Sequence, residues 1–429
     1  MGNGAALGVS TRAQPRLYLA LLPATPALLA DESACPTGCV FEGACATSRV
    51  PYSSLCVHFV GRNAGRYDII AVRAGSTIKR MQLTISVIIP VHNSGPALGE
   101  CLRSLARSTA LPAEIIVVDD GCTDYSLEFA SGFEVRIVRA ARRGGPAHSR
   151  NLGALAAKGD ILLFVDADVM VHADTVERAL AMFQSHPELD ALFGSYDENP
   201  AAPGLVSQFR NLLHCFVHRT GRPRASTFWS GCGAVRREIF LQSDGFNISY
   251  GSPCIEDIEF GGRLIEKGGR IALVPKIQVT HTKRWTFRSM VRTDIWRRGV
   301  PWTRLALASG RMPNDLNVSY RYRCCAALSA LAALLAGGDA LERIGNSWAM
   351  PFRDHPMIAP ALLLAVVLLN LDFYRFLAAR RGAWFALRAI PLHLVFFLCC
   401  GVSFAIGLAQ HFAARPRGVR LAAGLSKGE

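Results

Sequence analysis

The chain has 429 residues, a formal net charge of +14, 50% hydrophobic residues and 13 cysteines, with a mean hydropathy of +0.23. A chain this hydrophobic is not mainly disordered, and one this long is not a small disulfide-stapled scaffold. The length allows two or three folding units, and the apolar excess gathers after about residue 323, which predicts a membrane-attached region behind a soluble domain.

Residues 1–80 show little periodicity and read as an irregular N-terminal extension. Arg12 and Arg16 before the apolar stretch 17–30 imitate a targeting segment, but Pro23 and Pro26 interrupt it. The run Met81-Gln-Leu-Thr-Ile-Ser-Val-Ile-Ile-Pro90 resembles the opening of a compact α/β domain. Met81 is therefore expected to be the true start, a targeting sequence being the other reading. The cysteines at 35, 39, 45 and 56 lack the paired Cys-x2-Cys knuckles of a zinc site. The rest fall singly or as Cys324-Cys325 and Cys399-Cys400. An odd total without repeated spacing predicts reduced thiols in a cytosol-facing protein.

From residue 84, short β-branched runs at 84–90, 114–119, 135–139 and 160–166 alternate with helical patterns at 97–108, 126–131 and 146–158. The alternation predicts an α/β domain with a mostly parallel sheet and helices on both faces. Ligands of such sheets bind at the carboxyl ends of the strands. His92 follows the first run there, Asp119 and Asp120 the second, and Asp166 and Asp168 the fourth, while Arg150 lies near the start of the third helix. No Gly-x-Gly-x-x-Gly follows the first strand and no Gly-Lys-Ser/Thr loop is present, which disfavours dinucleotide and P-loop chemistry. Carboxylates at strand ends fit a nucleotide held by its base and ribose, with a hard divalent ion on its phosphates. Asp166-x-Asp168 alone would equally fit a turn or a helix cap. Here the buried run Ile161-Leu-Leu-Phe-Val165 delivers the pair to the rim that also holds Asp120.

Six motifs, in order, carry a specific resemblance: Ser86-Val-Ile-Ile-Pro-Val-His-Asn93, Ile115-Ile-Val-Val-Asp-Asp-Gly121, Ser149-Arg-Asn-Leu-Gly153, Phe164-Val-Asp-Ala-Asp168, Ser230-Gly-Cys-Gly-Ala-Val-Arg-Arg237 and Glu256-Asp-Ile-Glu-Phe-Gly-Gly-Arg263. Over 82–300 the chain resembles a family-2 glycosyltransferase of the GT-A, Rossmann-like fold, an inverting hexosyltransferase-type enzyme that uses a nucleotide-sugar donor. The resemblance implies that His92 lies against the base, that Asp120 accepts from the base imide with Asp119 buried beside it, and that Asp166 holds the ribose. It further implies Asp168 on Mg2+ or Mn2+, and Arg150 at the diphosphate. Asp257 would be the base that deprotonates the acceptor, and His281 would complete the metal shell or touch the diphosphate. Plainer readings stand beside these: a turn histidine for His92, a helix-surface arginine for Arg150, helix N-terminal acidity for Glu256-Asp257 and a satisfied histidine for His281. Cys122 and Asn247 depart from the family's usual Ser and Asp.

The segment 283–311 carries Lys283, Arg284, Arg288, Arg292, Arg297, Arg298, Arg304 and Arg311 against the single acid Asp294, with Trp285, Trp296 and Trp302 among them. Arg284, Arg288 and Arg292 share one helical face. Basic residues with tryptophans suit a membrane interface, and the apolar region after them favours lipid over nucleic acid as partner. Within 324–412, the stretch 389–409 is long enough to span, while 357–371 and 324–338 are short for a crossing of about 20 residues. Three crossings are expected, with two and a re-entrant segment as the alternative. The loop with Arg375, Arg380, Arg381 and Arg388 would then lie on the catalytic side, and the basic tail 413–429 on the other, against the positive-inside rule.

The expectation is a multi-pass inner-membrane enzyme with its catalytic domain in the cytosol, acting on a lipid-linked or cell-envelope glycan. The Glu-Asp pair favours a hydroxyl acceptor. A polyprenyl phosphate acceptor, already ionised, is the nearer alternative. A processive synthase is disfavoured because the Gln of Gln-x-x-Arg-Trp is missing before Arg284-Trp285. An inactive nucleotide-sugar-binding scaffold is the reading from another class.

Overall fold

The structure is a computed structural model and describes residues 55–63, 66–73, 83–343 and 357–413. The expected start at Met81, the cysteines at 35, 39 and 45 and the basic tail from residue 414 onward lie outside the described residues. The chain divides into two units, Met1–Met81 and Gln82–Glu429.

In the first unit, β1 (Leu55–Asn63) and β2 (Arg66–Arg73) pair antiparallel from Leu55 opposite Arg73 to Asn63 opposite Arg66. A hairpin thus lies in a segment expected to be irregular. Val57, Phe59 and Val60 in one strand and Tyr67, Ile69 and Ile70 in the other are residue types that favour strand.

The second unit is built on an eight-stranded sheet. Its strands are β3 (Ile85–Val91), β4 (Glu114–Asp119), β5 (Arg136–Arg139), β6 (Ile161–Val165), β7 (Val169–Val171), β8 (Ala191–Tyr196), β9 (Cys232–Arg236) and β10 (Ile271–His281), in spatial order β5-β4-β3-β6-β9-β8-β10-β7. The half β5-β4-β3-β6 is parallel throughout. Beyond it β8 and β10 also pair parallel, so the expectation of a mostly parallel sheet fails only at β9 and β7. β9 runs antiparallel to both β6 and β8, and β7 runs antiparallel to β10. The connection from β7 reaches β8 without passing through β9, whose register against its two neighbours is set only by contacts remote in sequence. The sheet is thus a mixed one.

Helices α1 (Pro96–Ala106), α2 (Ser126–Ala130), α3 (Gly145–Ala156), α4 (Thr175–Ser185), α5 (Leu205–Thr220), α6 (Arg237–Gln242) and α7 (Glu256–Glu266) cover the sheet. One core layer gathers Leu98, Leu102 and Leu105 of α1 with Val87, Ile89 and Val117, and the opposite layer gathers Phe164, Phe228, Phe240, Phe246 and Phe260. On that second face α3 approaches β3 closely. A Cβ at Gly153 would collide with Ile88 Cγ2 and stand 3.1 Å from Val118 Cγ2.

After the sheet come α8 (Phe287–Arg292), a π-helical turn Thr293–Gly299, α9 (Val300–Ser309), α10 (Tyr320–Arg343), α11 (Ile358–Leu369), α12 (Leu371–Arg381) and α13 (Ala383–Ala413). A third core joins Phe209, Leu212, Leu213 and Phe216 of α5 to Phe373, Tyr374 and Leu377 of α12 and Phe396 and Phe397 of α13. The opposite side of α5 packs on β8. Arg381 donates to Gln208 Oε1 at 2.9 Å and to the Glu198 carbonyl at 2.7 Å, tying the α12–α13 corner to the sheet domain. Among the described residues α13 alone is long and apolar enough to cross a membrane, and α11 with α12 passes the same test only as a pair bent by 63°. Among the described residues one helix, or two if the bent pair counts as one span, passes that test, against the three crossings expected. Asn370, fully buried, interrupts the second apolar stretch, and its side chain donates to the Val366 carbonyl.

Replacing Gly153 by Val overpacks the α3–β3 contact. It should destabilise the domain by about 1–3 kcal/mol, read as a lower melting temperature of the purified protein, whereas Gly132→Ala, with nothing within 4 Å, should leave it unchanged.

Candidate active site

The carboxyl ends of the parallel strands meet as a rim. At its outer part Asp120 is buried, and its two carboxylate oxygens accept from the amides of Gly144 at 2.8 Å and Gly145 at 2.9 Å. Gly145 has φ +82 and a Cβ there would meet the Gly251 carbonyl, so only glycine allows this turn to offer both amides. Asp120 is therefore first a clip between β4 and α3, and a base imide would have to share oxygens already engaged. Asp119 Oδ1 accepts from the Cys122 amide at 2.8 Å, and the other oxygen lies 3.9 Å from Arg139. His92 Nδ1 sits 3.1 Å from the Asp120 carbonyl. Both departures from the family pattern keep a local role: Cys122 Sγ donates to the Val91 carbonyl, and Asn247 accepts from the Ser249 amide.

Deeper in, a cavity of about 210 Å³ is lined by Arg150, Asp166, Asp168, Asp257 and His281 together. His92, Asp119 and Asp120 do not line it; they form the neighbouring rim. Arg150, 4% exposed, donates to Asp166 Oδ1 at 2.6 Å and to Glu256 Oε1 at 2.9 Å. Arg150, expected at the diphosphate, is held here as a buried tie between two carboxylates. Its position in α3 turns it inward, under the loop before α7, where Glu256 Oε2 also accepts from the Cys254 amide. Burial works against its charge, but Asp166 and Glu256 outweigh that and hold the guanidinium protonated well above its ordinary range.

Asp166 is pushed up by burial and by the charge of Asp168, against the pull of Arg150. Burial also pushes Asp168 up, but His281 and Lys283 outweigh it and hold its carboxyl below the usual value. Thr282 fixes the Asp168 backbone, its amide and hydroxyl both donating to that carbonyl at 2.9 Å. His281 Nε2 lies 3.5 Å from Asp168 Oδ2, and its Nδ1 is 2.7 Å from Asn211 Oδ1. The ring is stacked on Tyr196 at 4.5 Å and 8°. With Asn211 Oδ1 accepting, Nδ1 carries a proton, and Nε2 is the nitrogen that faces Asp168.

Among the described residues no group of three or more His, Cys, Asp or Glu side chains is arranged to hold a metal alone. One carboxylate beside one imidazole nitrogen still fits a hard divalent ion that takes its remaining ligands from substrate phosphates and water.

Asp257 stands in the first turn of α7. Its Oδ2 accepts from the Ser230 amide at 3.0 Å and hydroxyl at 3.1 Å, and its Oδ1 from the Ile258 amide at 2.8 Å. Burial and then the Glu256 charge raise its pKa to about 6, with Ser230, Arg150 and Arg298 pulling the other way. A carboxylate so held is ionised at neutral pH and a stronger base than a solvated one. The sequence motifs led to Asp257 but not to the parts played by Ser230, Glu256 and Asn211. Ser230 and Glu256 lay inside the quoted motifs, whereas nothing marked Asn211 apart from its neighbours in an amphipathic helix.

Residues 86–242 match the protein-family model described as glycosyl transferase family 2. Over these residues the chain is similar to that family. Among curated relatives, the glycosyltransferase GlyG of Streptococcus pneumoniae is 35% identical over 121 residues, 27% of this chain and 40% of that protein. An uncharacterized glycosyltransferase of Haemophilus influenzae is 28% identical over 222 residues, 49% of this chain and 71% of that one. The chain thus spans less than half the length of the first of these. Among solved structures, the mannosyltransferase PcManGT from Pyrobaculum calidifontis, in complex with GDP-Man and Mn2+, is 20% identical with a TM-score of 0.47, covering 76% of this chain and 88% of that one.

Removing the buried cation while leaving its partners tests the tie. Arg150→Met should cost about 3–5 kcal/mol of stability, measured by denaturant unfolding. A loss below about 1 kcal/mol, the scale of an exposed pair, would contradict it.

Proposed function

We propose that the chain is a membrane-anchored, metal-dependent, inverting glycosyltransferase. In this reading it moves a sugar from a nucleotide-sugar donor to a hydroxyl of a lipid-linked or cell-envelope glycan. The observation that carries it is Asp257, gripped by Ser230 and lining one cavity with Asp166 and Asp168. A base facing strand-end carboxylates across a cavity suits direct displacement at a sugar carbon, with the acceptor hydroxyl entering from the side opposite the leaving diphosphate.

His92 and Asp119 flank the base pocket, with Asp120 holding the rim closed beneath it. Asp166, fixed by Arg150, is placed to accept from the ribose. Asp168 and His281 would hold Mg2+ or Mn2+. Such an ion, when bound, stabilises the charge that develops on the leaving diphosphate. Lys283 adds a fixed positive charge beside Asp168. Asp257 takes the acceptor proton, and the Ser230 hydrogen bonds keep its Oδ2 oriented while that proton arrives. The raised basicity of Asp257 favours a hydroxyl, which needs a base, over an already ionised phosphate.

Membrane anchoring rests on α13, with Trp384, Leu387 and Phe404 exposed along it. Arg380 and Arg381 contact Glu198 and Gln208, so the basic corner before α13 lies with the catalytic domain, which suits a cytosolic active site at the inner membrane. Expected partners are the nucleotide-sugar donor, the glycan acceptor and membrane lipid.

Asp257→Asn should lower turnover by about 10²–10⁴-fold while nucleotide-sugar affinity stays within a few-fold, measured by steady-state kinetics and calorimetry. Unchanged turnover would refute the assignment. Because the ionised form is the base, wild-type kcat should hold at neutral pH and fall as pH drops through about 6. A pH profile flat down to the ordinary aspartate range would contradict that.

A further inference from the structure

The two side chains placed to hold a divalent ion are fixed in different ways. Asp168 has its backbone tied by Thr282, the residue next to His281. His281 is 5% exposed, and its ring lies flat on Tyr196 at 4.5 Å and 8°. Stacking fixes the plane of a ring but not which edge points where. A half-turn about the Cβ–Cγ bond returns an imidazole to the same plane, with Nδ1 exchanged for Cδ2 and Nε2 for Cε1. The stack on Tyr196 is the same in both settings. In one of them Nε2 faces Asp168 Oδ2 at 3.5 Å, and in the other a carbon does.

Asn211 separates the two settings. Its Oδ1 lies 2.7 Å from Nδ1, a hydrogen bond that exists only with nitrogen at that edge. The same bond settles the tautomer. In a neutral ring an acceptor at Nδ1 keeps the proton there and leaves Nε2 for a metal ion.

Packing does not call for an asparagine at this position. In α5 the residues Phe209, Leu212, Leu213 and Phe216 build the core with α12 and α13. Asn211 lies among them in sequence, 1% exposed, although asparagine is among the weaker helix formers. Its Nδ2 is buried without a hydrogen-bond partner, which is unfavourable wherever it occurs. Its one hydrogen bond goes to a residue 70 positions away. The helix that carries it is also held in place. Ser207 Oγ accepts from the Trp285 amide at 2.8 Å, and Gln208 Nε2 donates to the carbonyls of Pro200 at 3.0 Å and Ala202 at 2.7 Å. Arg210 is paired with the buried Asp294. Asn211 Oδ1 is therefore a fixed point from which the ring is set.

We propose that Asn211 is a positioning residue for the divalent cation. Its hydrogen bond to Nδ1 holds His281 in the edge setting and tautomer that present Nε2 to an ion beside Asp168. The proposal rests on the metal-dependent reading above and deepens it, by adding a residue that acts on the ion only through His281. With two protein ligands the aim of each weighs heavily, and the outer partner of a ligating histidine governs metal affinity by about 10–100-fold.

The test measures Mn2+ uptake by the full chain in neutral detergent micelles, with UDP and separately with GDP, by electron paramagnetic resonance. The wild type should take up Mn2+ with at least one of the two nucleotides, and His281→Ala should weaken that uptake. Asn211→Leu, close in size but without an acceptor, should weaken it by about 10–100-fold. Asn211→Asp keeps the acceptor and removes the unpartnered Nδ2, and should bind Mn2+ at least as tightly as the wild type. In the His281→Ala background, Asn211→Leu should add less than about threefold. Nucleotide affinity in EDTA, by calorimetry, should match the wild type in every variant, which reports an intact cavity. Several results would overturn the proposal. These are uptake unchanged in Asn211→Leu or in His281→Ala, Asn211→Asp as weak as Asn211→Leu, or a further loss of about tenfold from Asn211→Leu without the histidine. An equal loss of nucleotide affinity in EDTA would overturn it too, the leucine then having disturbed the cavity as a whole. A wild type that binds nucleotide but takes up no Mn2+ removes this proposal and leaves the donor reading standing. Absence of nucleotide binding by the wild type, with and without Mn2+, removes the glycosyl-transfer reading itself.

Discussion

The arrangement of the active site depends on one buried guanidinium. Arg150 reaches from α3 to Asp166 at the end of β6 and to Glu256 at the start of α7, residues 16 and 106 positions away in the chain. A cation withdrawn from water is costly unless fully paired, and two carboxylates withdrawn beside each other repel. Each alone would be unfavourable, and the three together form a fixed unit. Glu256 fixes the first turn of α7, and Asp257 is the next residue. The spacing between the strand-end carboxylates and the base is therefore set by Arg150. The same interaction separates four acids: Asp166 and Glu256 share one guanidinium and build the frame, while Asp168 and Asp257 stand outside that tie.

A second constraint comes from α5. One side packs on β8 and supplies Asn211 to His281, and the other is buried against α12 and α13. The apolar C-terminal helix is continuous in packing with the wall of the cavity, through Phe396 over Arg210 and Ser403 against Gly299. The apolar helix α13 and the candidate site share a core. A change in how α13 is seated would be felt first at the π-helical turn, where Gly299 meets Ser403.

The legible parts of the sequence were those governed by local pattern. The β-branched runs at 114–119 and 160–166 became β4 and β6 within a residue, because buried strands need little beyond their own composition. Asp166-x-Asp168 and Glu256-Asp257 were readable because a strand end and a helix start fix where such side chains point. What depended on distant partners was not legible. Arg150 and a surface arginine look alike in a helix, and only Glu256, far along the chain, turns it inward. Asp120 looked free to bind a base because its partners are backbone amides, which leave no mark in the sequence. The antiparallel course of β9 and the π-helical turn are settled by packing between elements. The expectation of three crossings counted apolar residues without registering that Asn370 would be buried as a polar break between α11 and α12.

In the reading proposed here, a single base opposite the leaving group means one displacement and hence inversion at the sugar carbon. The most direct measurement is the anomeric configuration of the first product formed. Proton NMR at early times, with a nucleotide sugar that the enzyme cleaves and before mutarotation, reads it from the H1 coupling. The account predicts the anomer opposite to the donor's. Retention of the donor's configuration would contradict it, because retention requires a second displacement or a nucleophile that Asp257, facing the acceptor, does not provide.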